Sequence, residues 1–377
     1  MVVLGAGATK ACGGPLTNEI LHEAFQLSQR TERAINLELI DRFLQEQFRL
    51  PKEVAKRQVE DYPSLPLVMS LIDIAIDRKH SFGAGWNIQT MARLRHALDL
   101  AIFSVLQYRI RTENKDLQKL LFVKLNRRAR DWGIVSLNYD IFPDNALVQM
   151  SSRSSGQTRF ADYGCDIFVP GQHGDAQRDP STIRHRPSFG KLLKLHGSLN
   201  WYYCPHCQRL DLGISAEGNL TEKVLHKFVK GEREKKRLLE TRYEGREVSG
   251  CEACGAEVRP VLISPSLYKD YRNPHISRIW YEAEMLLRHS SQVVFIGYSF
   301  PDDDVHVAYL MKRALQHLAP ERITVVEYSK KRIARAKNVV YQRYRAMFGK
   351  GFNWFDKGLE QWLLKHSDQA FRAKRSV

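Results

Sequence analysis

A histidine and a Cys-x-x-Cys pair share the short stretch Lys194-Leu195-His196-Gly197-Ser198-Leu199-Asn200-Trp201-Tyr202-Tyr203-Cys204-Pro205-His206-Cys207. An imidazole takes up a proton near neutral pH, so His196 is a candidate general base. Cys204 and Cys207 have the spacing of half a metal site, and Cys251-Glu252-Ala253-Cys254 stands far enough downstream to fold back and complete it. Four thiolates close a tetrahedral shell around zinc and leave no position for water, so a metal held by Cys204, Cys207, Cys251 and Cys254 is expected to be structural. His206 is not needed as a ligand. The competing reading, a redox Cys-x-x-Cys, would more often occur once, just before a helix. The catalytic centre is then organic, and His196 is its first candidate.

Further polar groups follow other apolar runs. Val2-Val3-Leu4 reads as a strand ending in Gly5-Ala6-Gly7-Ala8, with a helix start at Pro15-Leu16-Thr17-Asn18-Glu19-Ile20-Leu21. Strand, glycine turn and helix is an order that suits a pyrophosphate, and hence a dinucleotide, although Lys10 stands where the third glycine of the full fingerprint would be. The run Ile134-Val135-Ser136-Leu137 ends at Asn138-Tyr139-Asp140, where an amide would orient water or ribose hydroxyls. An isolated Asn or Asp at such a place also caps a turn or the next helix, and both readings stand for Asn138 and Asp140. Val293-Val294-Phe295-Ile296 ends in Gly297-Tyr298-Ser299, and Ile323-Thr324-Val325-Val326 ends in Glu327. Asp302-Asp303-Asp304 supplies acceptors for the start of the helix that follows.

Strands that alternate with helices define an α/β fold, here a Rossmann-like, mostly parallel sheet with helices on both faces. Gly5, Gly7, Asn138, Asp140, His196, Gly197, Gly297, Ser299 and Glu327 would line one crevice past the C-terminal ends of its strands if these are parallel neighbours. The expected organisation is one catalytic domain over residues 1–377 with two insertions. Helical periodicity from about 20 to 130, interrupted at Pro63 and Pro66, marks the first, and the zinc-binding module at about 201 to 258, with a charged helical middle, is the second. Residues of about 145 to 190 read as a long irregular excursion. Val261-Leu262-Ile263-Ser264-Pro265 reads as a return to the core, and residues 276–287 as a helix.

Apolar residues at 43% and aromatics at 10% are globular values, and no apolar run approaches the roughly 20 residues that span a bilayer. With no leader-like N-terminus, a cytoplasmic protein is expected. Of the six cysteines, Cys12 and Cys165 read as small apolar filler. The net charge of +16, concentrated in residues 223–246 and from Lys330 onward, favours an acidic partner, nucleic acid included. Such runs are more often a solvated helix face.

Taken in order, Gly5-Ala6-Gly7-Ala8, Ser136-Leu137-Asn138-Tyr139-Asp140, His196-Gly197-Ser198, the two Cys-x-x-Cys pairs, Arg259-Pro260, Gly297-Tyr298-Ser299 and Val325-Val326-Glu327 resemble the sirtuin superfamily over nearly the whole core. The chain departs from the protein-deacylase branch. Gly14-Pro15-Leu16-Thr17-Asn18 stands where those enzymes carry Pro-Asp-Phe-Arg, and Ile263-Ser264-Pro265-Ser266 replaces the Phe-Gly-Glu segment that pairs with substrate peptide. Lys194 to Ser198 followed by Asn200-Trp201, together with Gly297-Tyr298-Ser299-Phe300-Pro301-Asp302-Asp303, resembles the bacterial sirtuin-like NAD hydrolases of anti-phage systems, which carry a helical insertion after the first strand.

That resemblance implies NAD as substrate and cleavage of its nicotinamide–ribose bond through an oxocarbenium-like state, with water as acceptor. It implies His196 as general base, Asn138 orienting water or ribose hydroxyls, and Asp140 holding the carboxamide. The turn of Gly5, Ala6, Gly7 and Ala8 would receive the pyrophosphate, and Gly297, Ser299 and Glu327 the adenosine ribose. It further implies a toxic effector of antiviral defence, a homo-oligomer, and for some relatives a HerA-type ATPase partner. Two alternatives remain at this point: an NAD-dependent protein deacylase, and a non-catalytic zinc-containing module that binds nucleic acid.

Overall fold

A strand covered on both faces needs apolar side chains at consecutive positions, and the chain supplies several such runs, each fully buried. The computed structural model describes residues 1–30, 37–112, 116–129, 131–155, 161–168, 190–212, 251, 253–256, 258–262, 273–329 and 333–365. Its strands are β1 (Val2–Leu4), β2 (Gly133–Ser136), β3 (Lys191–Lys194), β4 (Gly197–Tyr203), β5 (Leu210–Leu212), β6 (Arg259–Leu262), β7 (Val293–Ile296), β8 (Ile323–Val326) and β9 (Asn353–Phe355).

Six of these form one sheet in the order β3-β2-β1-β7-β8-β9, every pair parallel. Numbered along the chain, the sheet strands run third, second, first, fourth, fifth, sixth, the order of a dinucleotide-binding sheet. The order reverses between β1 and β7, where Val2 pairs Ile134 on one side and Val294 on the other. Connections diverge there in opposite directions, and right-handed crossovers then place helices on opposite faces.

The helices sort accordingly. α1 (Ala6–Ala11), α6 (Leu117–Arg128), α7 (Phe142–Ser155) and α11 (Gly358–Lys365) contact one another as one group. α8 (Pro274–Arg288), α9 (Val305–Ala314) and α10 (Val339–Phe348) form the other. Both groups bury their apolar stripes in one core with the sheet. The expected α/β, Rossmann-like sheet with helices on both faces is what the chain forms.

The helical segment after β1 comprises α2 (Ile20–Arg30), α3 (Glu38–Phe48), α4 (Leu65–Arg78) and α5 (Ile88–Thr112), which pack on one another around a second core. Ser64 caps α4, and Pro66 sits in its first turn, where a missing N–H costs nothing. Leu199, Tyr202, Cys204, Cys251 and Val258 belong to that same second core, so the helical segment and the cysteine module are packed together. Among the described residues, no helix is long and apolar enough to cross a membrane.

One expectation changes. Residues 145–155, expected to open an irregular excursion, continue a helix that starts at Phe142, because Phe142, Ala146, Leu147, Val148 and Met150 form a buried stripe that the Ser- and Arg-rich end of the segment obscures. Val261 on β6 returns to the core shared with the large sheet, as expected, although the strand itself does not join that sheet. β6 pairs antiparallel with β4 in a separate sheet of order β5-β4-β6, whose central strand starts at Gly197. The expected charged helix within 223–246, most of the excursion of 145–190, residues 263–265 and the basic end from Arg372 lie outside the described residues.

The β1 and β7 ends meet with no side chain between them. A Cβ on Gly297 would lie 2.4 Å from Ala8 N and from the Gly7 backbone, and Gly297 has φ +61°. Strain from the left-handed backbone and forced overpacking together cost about 2–5 kcal/mol. Gly297→Ala is therefore expected to lower the unfolding midpoint by several degrees. Gly85→Ala, also at positive φ but with nothing within 4 Å, bears the backbone part alone. Thermal denaturation of the two variants measures the difference.

Candidate active site at the sheet edge

The switch between β1 and β7 is built from backbone. Gly5 N donates to Ile296 O (3.0 Å) and Gly7 N to Gly297 O (2.8 Å), while Gly297 N donates to Val326 O (2.9 Å). A Cβ on Gly5 would lie 2.5 Å from Gly297 O, so the close approach these glycines permit is between the two strand ends. Ala6 and Gly7 are half-buried at this edge, and Gly5 and Ala8 are buried.

Asn138, just past β2, reaches across β1: its Nδ2 donates to Gly5 O at 2.8 Å. The side chain is 9% exposed. One amide bond to Gly5 leaves Oδ1 and the second Nδ2 hydrogen for a ligand. Asp140 is turned inward instead. Its Oδ1 accepts from Phe142 N (2.9 Å), closing the start of α7, and its Oδ2 accepts from the Thr9 hydroxyl of α1. Burial raises the Asp140 carboxyl above its ordinary range, against the pull of Lys194 and Thr9. Thr9 and Asp140 thereby tie the first helix to the β2–α7 loop.

His196 follows β3 where the chain leaves the large sheet for β4. Its Nδ1 lies 3.0 Å from Leu137 O, and a carbonyl only accepts, so Nδ1 carries the hydrogen and Nε2 is the basic nitrogen of the neutral ring. The ring is 6% exposed, with the Tyr139 ring centroid 6.2 Å away. Nε2 faces the Asp304 carboxylate, with Oδ1 at 3.7 Å. The other oxygen of Asp304 accepts from Tyr298 OH at 2.9 Å, and Tyr344 OH fixes Tyr298 through its carbonyl at 2.7 Å. Burial, then the Asp304 charge, hold the Tyr298 hydroxyl well above its ordinary pKa, so it stays a donor. The loop bearing these residues carries Phe300 at φ +46°, a strained conformation held by packing against Phe295, Tyr298 and Tyr344.

Asp304 was read from sequence only as a helix-start acceptor. It does stand at the N-cap of α9, but its side chain makes no capping bond and faces His196. No motif spacing links positions 196 and 304, which the fold alone brings together.

Lys194 was also missed. It is 0% exposed, and its Nζ donates to Asp140 O (2.6 Å), Asp144 Oδ2 (2.9 Å) and Ser198 Oγ. Asp144 accepts in turn from Tyr163 OH (2.6 Å), and Ser198 donates to Asn200 Oδ1 (2.6 Å). A charge inside the apolar run Leu192-Leu193-Lys194-Leu195 was the available signal. This network pins the β2–α7 loop, α7 and β4 from a position next but one to His196.

Ser299 is half-buried past β7, and Glu327 is half-buried past β8. Glu327 Oε1 accepts from Tyr328 N at 3.0 Å, and burial raises its carboxyl above the usual range. Both stand on the β7–β8 side of the switch point, while Asn138, Asp140 and His196 stand on the β2–β3 side.

The four cysteine sulfurs lie within 4.8 Å of one another, with Cys204 Sγ 3.5 Å from Cys254 Sγ and Cys207 Sγ 3.6 Å from Cys251 Sγ. A tetrahedron of sulfurs each about 2.3 Å from zinc has edges of roughly 3.8 Å, so the set fits that ion and is far too open for disulfides. Both halves are built alike. Cys204 N donates to Arg209 O (2.8 Å) and Cys251 N to Ala256 O (2.6 Å), and each pair is followed by a left-handed residue, Gln208 at φ 61° and Gly255 at φ 72°. Backbone N–H groups of Cys207 and His206 point at Cys204 Sγ, and that of Ala256 at Cys254 Sγ. His206 is outside the cluster. Cys12 and Cys165 are buried fillers, and burial pushes the Cys12 thiol up to about 12.

No protein-family model matches this chain, and no curated protein matches it. Among solved structures it is similar to one described as the structural basis for the mechanism and regulation of Sir2 enzymes, at 13% identity and a TM-score of 0.40, covering 98% of this chain and 90% of that one. It is similar to a structure on sirtuin substrate affinity at 14% identity and a TM-score of 0.41, covering 97% and 91%. For a Sir2 complex with a p53 peptide and NAD+ the values are 14% and 0.38, covering 86% and 89%.

Removing one partner of a buried ion pair leaves an uncompensated charge, at a cost of about 3–5 kcal/mol. Lys194→Met should therefore lower stability by about that much in denaturant titration, whereas Lys119→Met, at a half-buried cation, should cost far less. Cys251→Ser should lower both the metal content and the unfolding midpoint, read by elemental analysis and thermal denaturation.

Proposed function

We propose that this protein hydrolyses NAD at the nicotinamide–ribose bond, giving nicotinamide and ADP-ribose. One observation carries the reading. A basic imidazole nitrogen and an amide with unused hydrogen-bonding capacity stand past the ends of adjacent strands in a dinucleotide-type sheet, on one side of its switch point.

In this reading the pyrophosphate lies beside the turn of Gly5, Ala6, Gly7 and Ala8. Gly297, Ser299 and Glu327 line the adenosine half, on the β7–β8 side. Nicotinamide and its ribose lie toward β2 and β3. Asn138 orients the ribose hydroxyls or the water, and His196 Nε2 takes the proton that the water gives up. Asp140 acts on the carboxamide through the loop it anchors, since both its oxygens are engaged by Thr9 and Phe142. Zinc at the four cysteines would hold together the module that begins at Gly197, directly after the base, and takes no part in the chemistry.

The sequence resemblance to anti-phage NAD hydrolases supports a wider role as an effector that depletes NAD during infection, in a homo-oligomer or with a HerA-type ATPase. The described structure offers no observation that favours the deacylase or the nucleic-acid module.

Incubation of the purified protein with NAD, with chromatographic separation of nicotinamide, ADP-ribose and cyclic ADP-ribose, tests the reading. Nicotinamide and ADP-ribose should appear in equal amounts. His196→Ala should slow their formation about 10²-fold or more. Wild-type rates in that variant would remove His196 from the mechanism.

A further inference from the structure

His196 Nε2 and Asp304 Oδ1 are 3.7 Å apart, too far for a direct hydrogen bond. With the imidazole hydrogen on Nδ1, committed to Leu137 O, both facing atoms are acceptors. Two acceptors at this separation can both be reached by one group that donates to each, such as an oxygen about 2.8 Å from both. Water has two donor hydrogens. An alcohol, including a ribose hydroxyl, has one.

The carboxylate is well placed to hold this position. Tyr298 OH engages Oδ2 at 2.9 Å, which sets the plane of the group. Asp304 stands at the N-terminus of α9, ten residues long. It is 4% exposed, so its field at His196 is weakly screened.

We propose that His196 and Asp304 together form the seat of the attacking water, with Asp304 as a second catalytic residue. The proposal rests on the reading of the site as an NAD hydrolase. Water donates one hydrogen to Nε2 and the other to Oδ1, which turns its lone pairs away from both. Its oxygen forms a bond to C1′ of the ribose as the C1′–N bond breaks. The bonding electrons leave with the ring nitrogen, which passes from pyridinium to neutral nicotinamide. The water's proton goes to Nε2, and Asp304 balances the imidazolium until that proton is released to solvent. Substrate, water and products balance with one proton released. A seat with two acceptors selects water over acceptors that carry a single hydroxyl, so ADP-ribose is the product.

Asp304→Asn keeps the shape and removes the charge and one acceptor. Its kcat for NAD cleavage should fall about 10²-fold while KM changes less than about threefold. Carried out in methanol–water mixtures, the reaction separates a chemical role from a structural one. The wild type should form methyl ADP-ribose well below the molar share of methanol, and Asp304→Asn should raise that share severalfold. Tyr298→Phe should shift the ratio in the same direction by less, and it carries the test if Asp304→Asn does not fold. Unchanged kcat in Asp304→Asn, or a lower kcat with an unchanged methanol-to-water ratio, would overturn the seat while leaving NAD hydrolysis standing. A wild-type protein that leaves NAD intact would overturn both.

Discussion

Contact between two bare stretches of backbone, the β1–α1 turn and the end of β7, sets the geometry of the whole sheet edge. Gly5 and Gly7 hydrogen-bond to the Ile296 and Gly297 carbonyls, at a separation that no side chain would permit. Because β1 and β7 are the central pair at the point where strand order reverses, this contact fixes the spacing of the two half-sheets. Asn138 reads that position directly by bonding Gly5 O, and the β7–α9 loop departs from it toward His196. A displacement at Gly297 would thus reach both sides of the crevice.

Below this edge, positions are held by buried charge. Lys194 could have been an apolar residue if β3 needed only to be covered, and a buried ion pair is seldom more stable than a packed hydrocarbon. What it provides is simultaneous attachment of the Asp140 carbonyl, Asp144 on α7 and Ser198 on β4. The Leu137 carbonyl, which selects the His196 tautomer, belongs to the same loop. Buried polar networks of this kind rigidify when fully satisfied, and here the rigid element is the one that orients the His196 ring.

The cysteine module and the helical segment are coupled to this site by packing. β4 begins at Gly197, immediately after His196, and runs to Tyr203 beside Cys204. Leu199 and Tyr202 on β4 share a core with α2–α5, as do Cys204 and Cys251. An ion held by the cysteines would therefore act on a strand that starts next to His196, and anything that moves the helical segment acts on the same strand.

Much of this was legible along the chain, for a physical reason. Covered parallel strands must be continuous apolar runs, and ligand-facing groups must follow them, so Val2-Val3-Leu4, Val293 to Ile296 and Ile323 to Val326 announced both the sheet and its edge. The cysteine pairs were equally plain, since a metal knuckle is a local structure whose ligands lie three residues apart. Elsewhere a polar surface or a short length hid the pattern. α7 was obscured by its Ser- and Arg-rich end, and β9 is only three residues long and partly exposed. Tertiary structure alone decided how groups distant in sequence meet. It directed Gly5 and Gly7 against Gly297, turned Asp140 inward onto Thr9, and put Asp304 opposite His196. Each of those contacts depends on the relative placement of whole strands and loops, for which a single chain carries no periodicity and no spacing rule.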